Sequence, residues 1–305
     1  MAISAADRRD TTADSGTDPK LLALVPDAKE ILEVKPLPGS RWARISRILR
    51  DRYRSVTTEG RRSKGEFEAT SAIYAATPNI CAKPIAWSSL KNKPGAYFFI
   101  CKYYDFITEM AEPGPFCENL ARLHSSHTSP DGRFGFHCTT YNGDMPQDNS
   151  WSDIWEAFFA NVLRHVLRVR EERAGPDEQL DSLLPALFDK VIPRLLRPLE
   201  TNGRKVKPVL VHGDLWFGNC AVDQGTGEVF VFDPAAFYGH NEYELGNWRP
   251  EGNRLNDGGY FEAYHNHIPR SETVQDYDDR NALHALRFNL QAATLFPERD
   301  EYLEM

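Results

Sequence analysis

Apolar residues recur along the chain in two textures, one helical and one extended. Phe116, Leu120 and Leu123 fall four and three residues apart and share one helical face. Between Trp151 and Arg173 the stripe Trp151, Ile154, Trp155, Phe158, Phe159, Val162, Leu163, Val166 and Leu167 keeps Arg164, Arg168, Arg170, Glu171 and Glu172 mainly outside it. That spacing predicts a long amphipathic helix laid on a core. Glu66–Ala76 carries good helix formers with Phe67, Ile73 and Tyr74 as anchors, and Pro78 stops it. Gln179–Leu199 predicts a further helical stretch, broken or capped near Pro185 and Pro193, and Asp276–Leu295 another with Leu283, Leu286, Leu290 and Leu295 in helical spacing. The extended runs are shorter. Ile31–Val34 leads into the turn-like Pro36–Gly39, and the aromatic Ala96–Tyr104 predicts a buried strand. Val209–Val211 and Val229–Phe232, with the Gly-containing Asp223–Gly227 between them, suggest a hairpin. Strands with one helix therefore occupy the N-terminal third, and helices around a small hairpin occupy the rest.

A length of 305 residues suits two lobes around a sizeable core, and a composition 41% hydrophobic and 26% charged is that of an ordinary globular chain. The longest apolar runs, such as Ala96–Cys101, fall far short of the ~18–20 residues of a membrane-spanning helix. Met1–Pro19 has no apolar stretch to serve as a signal-peptide core, so residues 1–20 are expected to form a disordered tail. Five cysteines without metal-ligand spacing suggest reduced thiols and a cytoplasmic protein. The net charge of −8 conceals a window of +7 between Arg41 and Lys64, with −15 elsewhere. A run of like charges is most often a solvated face, and with only Trp42 and Tyr53 interleaved a nucleic-acid partner is unlikely.

The chemistry concentrates in Val211–Asp233. His212-Gly213-Asp214, four residues, then Asn219 is the HxDxxxxN spacing of a phosphotransferase catalytic loop, and a β run then delivers Asp233. Phosphoryl transfer needs a carboxylate beside the acceptor hydroxyl and oxygen ligands that hold Mg²⁺ against the nucleotide phosphates. Asp214 suits the first task; Asn219 and Asp233 suit the second. Singly, each residue is an unremarkable turn or cap residue; together they are a multi-point match. His212 reads as structural.

HGDLWFGN, followed by FDPAAFYGHNEYELGNW (Phe232–Trp248), resembles the fructosamine-3-kinase or protein-ribulosamine 3-kinase family, within the aminoglycoside-phosphotransferase-like kinase folds. Lys83-Pro84, Phe98–Lys102, Leu120–His124, Phe134–His137, Val191–Leu196 and Tyr260–Pro269 extend the resemblance over about Ile31 to Phe296. It implies an α+β, two-lobed protein-kinase-like fold. A small sheet-plus-helix lobe over residues 21–104 would grip the nucleotide, and a larger, mainly helical lobe over 105–305 would carry the catalytic loop and substrate site. The implied activity is ATP-dependent phosphorylation of the sugar 3-hydroxyl of ribulosamines or fructosamines, free or on glycated proteins, leading to deglycation. By position Asp214 would be the base, Asn219 and Asp233 would hold Mg²⁺ and ATP, and Trp216 would lie beside the sugar. His240, Glu242 and Glu244 read either as part of the ketosamine pocket or catalytic-loop support, or as a helix start with acids near its positive end, the reading favoured here.

The small lobe departs from this pattern. Glu66 occupies the place of the helix carboxylate that pairs with a phosphate-gripping Lys, but Ile48–Thr57 (ILRDRYRSVT) contains no Lys, and Arg52 and Arg54 are the nearest cations. No GxGxxG is present, and the segment Arg41–Glu66 predicts a lobe short of about one strand. Arg is not a conservative replacement for a point-charge ammonium. The alternative to an active kinase is therefore a pseudokinase, or a ketosamine- or nucleotide-binding protein whose activity is lost. A phosphotransferase for another small alcohol, such as choline or an aminoglycoside, fits the HxDxxxxN spacing but less well the residues around it.

Overall fold

A computed structural model of the chain describes residues 19–24, 34–40, 43–48, 53–59, 62–107 and 109–299. The expected tail thus lies outside the described residues up to Asp18, while Pro19 and Lys20 already belong to a short helix α1 (Pro19–Leu24). Three antiparallel strands follow, β1 (Val34–Ser40), β2 (Ala43–Ile48) and β3 (Tyr53–Glu59), and then helix α2 (Arg62–Ala76). Strands β4 (Pro84–Ser89) and β5 (Ala96–Lys102) complete a five-stranded sheet of order β1-β2-β3-β5-β4. The expected shortage of a strand is corrected here: three strands precede α2. They fit because only Arg41 and Trp42 separate β1 from β2, and residues 49–52 separate β2 from β3. The Pro36–Gly39 segment, expected as a turn, lies inside β1, where a register shift between Leu37 and Ser40 accommodates it. An outermost strand tolerates proline because half its N–H groups have no ladder partner to lose. Ile31–Glu33 are outside the described residues, and so are the basic side chains of the Arg41–Lys64 window apart from Arg54, Arg62 and Lys64.

Beyond Lys102 a two-residue strand β6 (Phe106–Ile107) leads to α3 (Pro113–Ser126), then the small hairpin β7 (Tyr141–Asn142) and β8 (Met145–Pro146). The long helix α4 runs from Trp155 to Ala174, starting later than its stripe predicted. Ile154 is in extended conformation, and Glu200 caps the helix from a distance by accepting from the Trp155 and Glu156 N–H groups at 2.9 and 3.4 Å. Trp151 and Ile154 are accordingly exposed. The stretch around Pro185 and Pro193 forms α5 (Glu178–Ala186), a π-helical turn and α6 (Ile192–Leu196). Strands β9 (Val209–Val211), β10 (Cys220–Asp223), β11 (Val229–Val231) and β12 (Phe237–Gly239) follow, then α7 (Asn241–Gly246), α8 (Tyr260–His265) and α9 (Tyr277–Leu295).

The predicted hairpin forms with a different partner: β11 pairs with β10 through the 223–227 turn, whereas Val209–Val211 pairs with β12. This arrangement builds the site, because β9 ends at Val211, directly before His212, and the β10–β11 hairpin is flanked by Asn219 and Asp233. Helix α9 packs against both α4 and α7 around a core in which Trp155, Phe158, Phe159 and Tyr243 are fully buried. The two halves of the chain meet where Val231 donates its N–H to Ile80 O at 2.7 Å, just after α2. Among the described residues, no helix is long and apolar enough to cross a membrane.

Candidate active site

The loop after β9 is fixed by its backbone. Gly213 has φ of +78°, and a Cβ there would lie 2.4 Å from Ala235 O, so both the left-handed conformation and the close approach require glycine. The Glu244 carboxylate, on α7 and fully buried, accepts from His212 N at 2.5 Å and from Gly213 N at 3.1 Å. Glu244 therefore supports the His212–Asp214 loop, which replaces the favoured sequence reading of a mere helix start. Its neighbour Glu242 forms a buried ion pair with Arg280 at 2.9 Å and accepts from Ser271 N. Burial opposes ionisation of Glu242, but His240, Arg280 and the Ser271 N–H together pull its carboxyl down to about 2. His212 is structural as expected. Its Nδ1 accepts from Asp214 N at 3.3 Å, so Nε2 carries the hydrogen donated to Phe232 O at 3.0 Å, and burial lowers its pKa.

These contacts bring four of the five sequence-predicted residues together. Asp214 is half-buried; desolvation raises its pKa, opposed by hydrogen bonds from Gln291 and Asn142 and by the electrostatic influence of the His212 ring and the Arg287 charge. Asn219 commits its amide nitrogen to Asp214 O at 2.8 Å, which leaves Oδ1 as its oxygen for a cation. Phe232 N donates to Asn219 O at 3.0 Å, setting Asp233 beside Asn219 across the hairpin. Asp233 has φ of +56°, a left-handed conformation costing a non-glycine residue about 1–3 kcal/mol. From the opposite side β3 supplies Arg54, whose Nη2 lies 3.5 Å from Asp233 Oδ1, and α2 supplies Glu66. Burial, followed by the charge of Asp233, pushes the Glu66 carboxyl up to about 8 against the pull of Arg54 and Arg62, and Glu66 hydrogen-bonds Asp233. Arg54 is thus the cation that β3 sets beside Asp233 and Glu66.

Trp216 stands slightly apart, 39% exposed two residues beyond Asp214, with its ring against Gly218 and edge-on to Phe217 at 4.9 Å. That exposure disfavours a core-packing role and leaves an apolar face available to a sugar ring. Asn219 and Asp233 offer hard oxygen donors of the kind Mg²⁺ takes together with phosphates, and among the described residues no cluster of three His, Cys, Asp or Glu forms a self-sufficient metal cage. Residues the sequence reading missed complete the site. Arg62, at the start of α2, lies within electrostatic reach of Glu66, Asp233, Asp144 and Asp214. Asn142, Gln147, Arg287 and Gln291 form a buried polar layer under the loop. The available signal was the 4-3-4 spacing of Arg280, His284, Arg287 and Gln291, a polar stripe beside the leucines of α9.

The fructosamine kinase family model matches residues 57–304, from within β3 almost to the last residue. The chain belongs to the fructosamine kinase family. A ketosamine-3-kinase of Mus musculus is 40% identical over 140 residues, covering 46% of this chain and 42% of the mouse protein. A chloroplastic protein-ribulosamine 3-kinase of Oryza sativa subsp. japonica is 29% identical over 249 residues, covering 79% of this chain and 67% of the rice protein. The match thus spans under half the length of the mouse relative. In three dimensions a putative fructosamine-3-kinase from Haemophilus somnus 129PT superposes with a TM-score of 0.74 at 19% identity, covering 94% of this chain and 92% of that one. The family's two-lobed kinase-like fold is therefore that of this chain. Arg54 lies just outside the segment that matches the family model, in the part of the chain where its own residues must be read directly.

Proposed function

We propose that the protein transfers the γ-phosphoryl group of ATP to the sugar 3-hydroxyl of a ribulosamine or fructosamine, free or attached to a protein lysine. The 3-phosphate adduct then falls away and frees the amine. The observation that carries this reading is the convergence of Asp214, Asn219 and Asp233 from one side with Arg54 and Glu66 from the other, next to the exposed Trp216. The family membership supports ATP as donor. Residues 21–104 would grip the nucleotide and 105–305 would bind and activate the acceptor. Free cysteines at all five positions support a reducing compartment such as the cytosol.

In this reading Trp216 stacks on the ketose and aims its 3-hydroxyl at Asp214. Asp214 accepts the hydroxyl proton as the sugar oxygen bonds to the γ-phosphorus; the bond to the bridging oxygen breaks and ADP leaves. Mg²⁺, held by Asn219 and Asp233, would supply charge neutralisation to the phosphates. Arg54 leaves Asp233 and turns its guanidinium to the phosphates, where its fork supplies parallel donors. Glu66 then holds Arg54 in place. Transfer of labelled phosphate from ATP to a ribulosamine, abolished by Asp214→Ala, is the expected result; no transfer at high enzyme concentration would defeat it.

One observation favours a second reading, a catalytically silent binding protein: the small-lobe cation is an Arg that already sits on Asp233. Its expected signature is a rise in melting temperature with ketosamine or nucleotide and no label transfer, since any ligand of the folded state stabilises it.

A further inference from the structure

Asp214 is held from below by an arrangement that neither the motif nor the family match assigns. Arg287, on α9, is 0% exposed, and among the described residues none of its hydrogen-bond partners is a carboxylate. It donates from Nη2 to Asn142 Oδ1 and Gln147 Oε1, each at 2.8 Å, and from Nη1 to Gln291 Oε1. A guanidinium has donors only, so each of the three side-chain amides must turn its oxygen toward Arg287 and its NH₂ group away. The three NH₂ groups then land on the catalytic segments. Gln291 Nε2 donates to Asp214 Oδ1 at 3.2 Å, Asn142 Nδ2 to Gly213 O at 3.3 Å, and Gln147 Nε2 to Ala235 O at 2.7 Å. One buried cation thus sets the polarity of three amides, which together grip the loop carrying Asp214 and the turn after Asp233.

We propose that Arg287 is a positioning residue that acts through Gln291. It locks the Gln291 amide as a donor to Asp214 Oδ1, which fixes the carboxylate plane and leaves Oδ2, on which Asn219 Nδ2 makes a long 3.5 Å contact, to take the proton of the acceptor hydroxyl. The proposal rests on the reading of Asp214 as the base. Without Arg287 only the Asp214 carboxylate itself would orient the Gln291 amide, and that bias is lost whenever Asp214 takes up the proton; Arg287 holds the same orientation from the other side in both states. Asn142 and Gln147, ordered by the same cation, keep the backbone on either side of the site in register.

Two substitutions at Gln291 separate positioning from simple structural support. Gln291→Glu gives Arg287 a carboxylate partner one helical turn away, so the fold should melt no lower than the parent, but it removes the donor to Asp214 and sets two carboxylates against each other. Gln291→Leu removes the donor without adding charge, and loses a partner of the buried guanidinium. The proposal expects kcat for ketosamine phosphorylation to fall on the order of 10–100-fold in both variants. The loss should be greater in Gln291→Glu, with the KM for ATP and for ketosamine within about twofold of the parent. A merely structural role predicts the reverse order, activity following melting temperature with Gln291→Glu the better enzyme. Parent-like kcat in Gln291→Glu, or that reversed order, overturns the proposal while Asp214→Ala remains inactive. An active Asp214→Ala, or an inactive parent chain, instead removes the functional reading and this inference with it.

Discussion

Replacing Glu244 tests how the catalytic loop is held. Its carboxylate is completely buried and accepts two backbone N–H groups, His212 N at 2.5 Å and Gly213 N at 3.1 Å, with His124 Nε2 a further 3.8 Å away. Glu244→Ala leaves both buried donors without an acceptor. An unsatisfied buried polar group costs about 1–3 kcal/mol, so the pair costs about 2–6 kcal/mol. That is a large part of the roughly 5–15 kcal/mol by which a domain is stable. At roughly 2–4 °C per kcal/mol for chains of this order of size, the melting temperature should fall ~5–20 °C. Glu244→Gln keeps one acceptor oxygen but points an NH₂ group at the second donor, and should lose about half as much. Urea denaturation at pH 7.5 with tyrosine and tryptophan fluorescence reads the midpoint, and kcat on the folded fraction reads loop order. Because the anchored residues immediately precede Asp214, kcat should fall even at temperatures where the variant is fully folded. A Glu244→Ala protein with parental midpoint and parental kcat would show that the loop is held by something other than this carboxylate.

Gly213→Ala should cost most of the activity and several degrees of stability, because a Cβ would meet Ala235 O at 2.4 Å with φ at +78°; kinetics together with a thermal melt check it, and unchanged values would sink it. Arg54→Met should lower kcat/KM for ATP on the order of 10²–10³, with Arg54→Lys recovering part of the loss, in steady-state kinetics at fixed ketosamine; indifference to Arg54→Met would exclude a phosphate-gripping role. Acid should destabilise the fold through two histidines. Burial lowers His240 to about 4 and His284 to about 3, below the ordinary ~6.5, so the unfolded chain binds the extra protons. Their stabilising contribution is complete above pH 6.5 and declines as pH falls toward the folded values, by about 2 kcal/mol per histidine between pH 7 and pH 5. Denaturation midpoints at pH 5, 6 and 7 should show this slope, and His284→Phe should flatten it; an identical slope in that variant would refute the assignment.

The catalytic loop is legible in sequence because its parts are local. Asp214 and Asn219 touch across five positions, and the hairpin that returns Asp233 is a short-range element. Other parts depend on partners distant in the chain. Val209–Val211 reads as a strand, but nothing local reveals that Phe237–Gly239 pairs with it. The leucines of α9 announce a buried face; Arg280 and Arg287 are buried on the same helix because Glu242, Asn142 and Gln147 meet them there, and a single sequence does not record those pairings. The small lobe was under-read for the opposite reason. Its strand spacing is tighter than the chain length suggests, and Arg54 reaches Asp233 from the second position of a strand whose pattern is mostly polar.

The separation between Asp214 and Gln291 is 77 residues, and that between Asn142 and Arg287 is 145. A ribosome adding roughly 5–20 residues per second takes ~4–15 s to pass from Asp214 to Gln291. By the end of that interval the loop, its hairpin and the small lobe have all been synthesised, yet until Arg287 emerges Asn142 and Gln147 have no cation to orient them and Gln291 is still to be made. The nascent chain therefore carries Asp214, Asn219 and Asp233 before their supporting layer exists, and on the proposed function competence would arrive with one late helix.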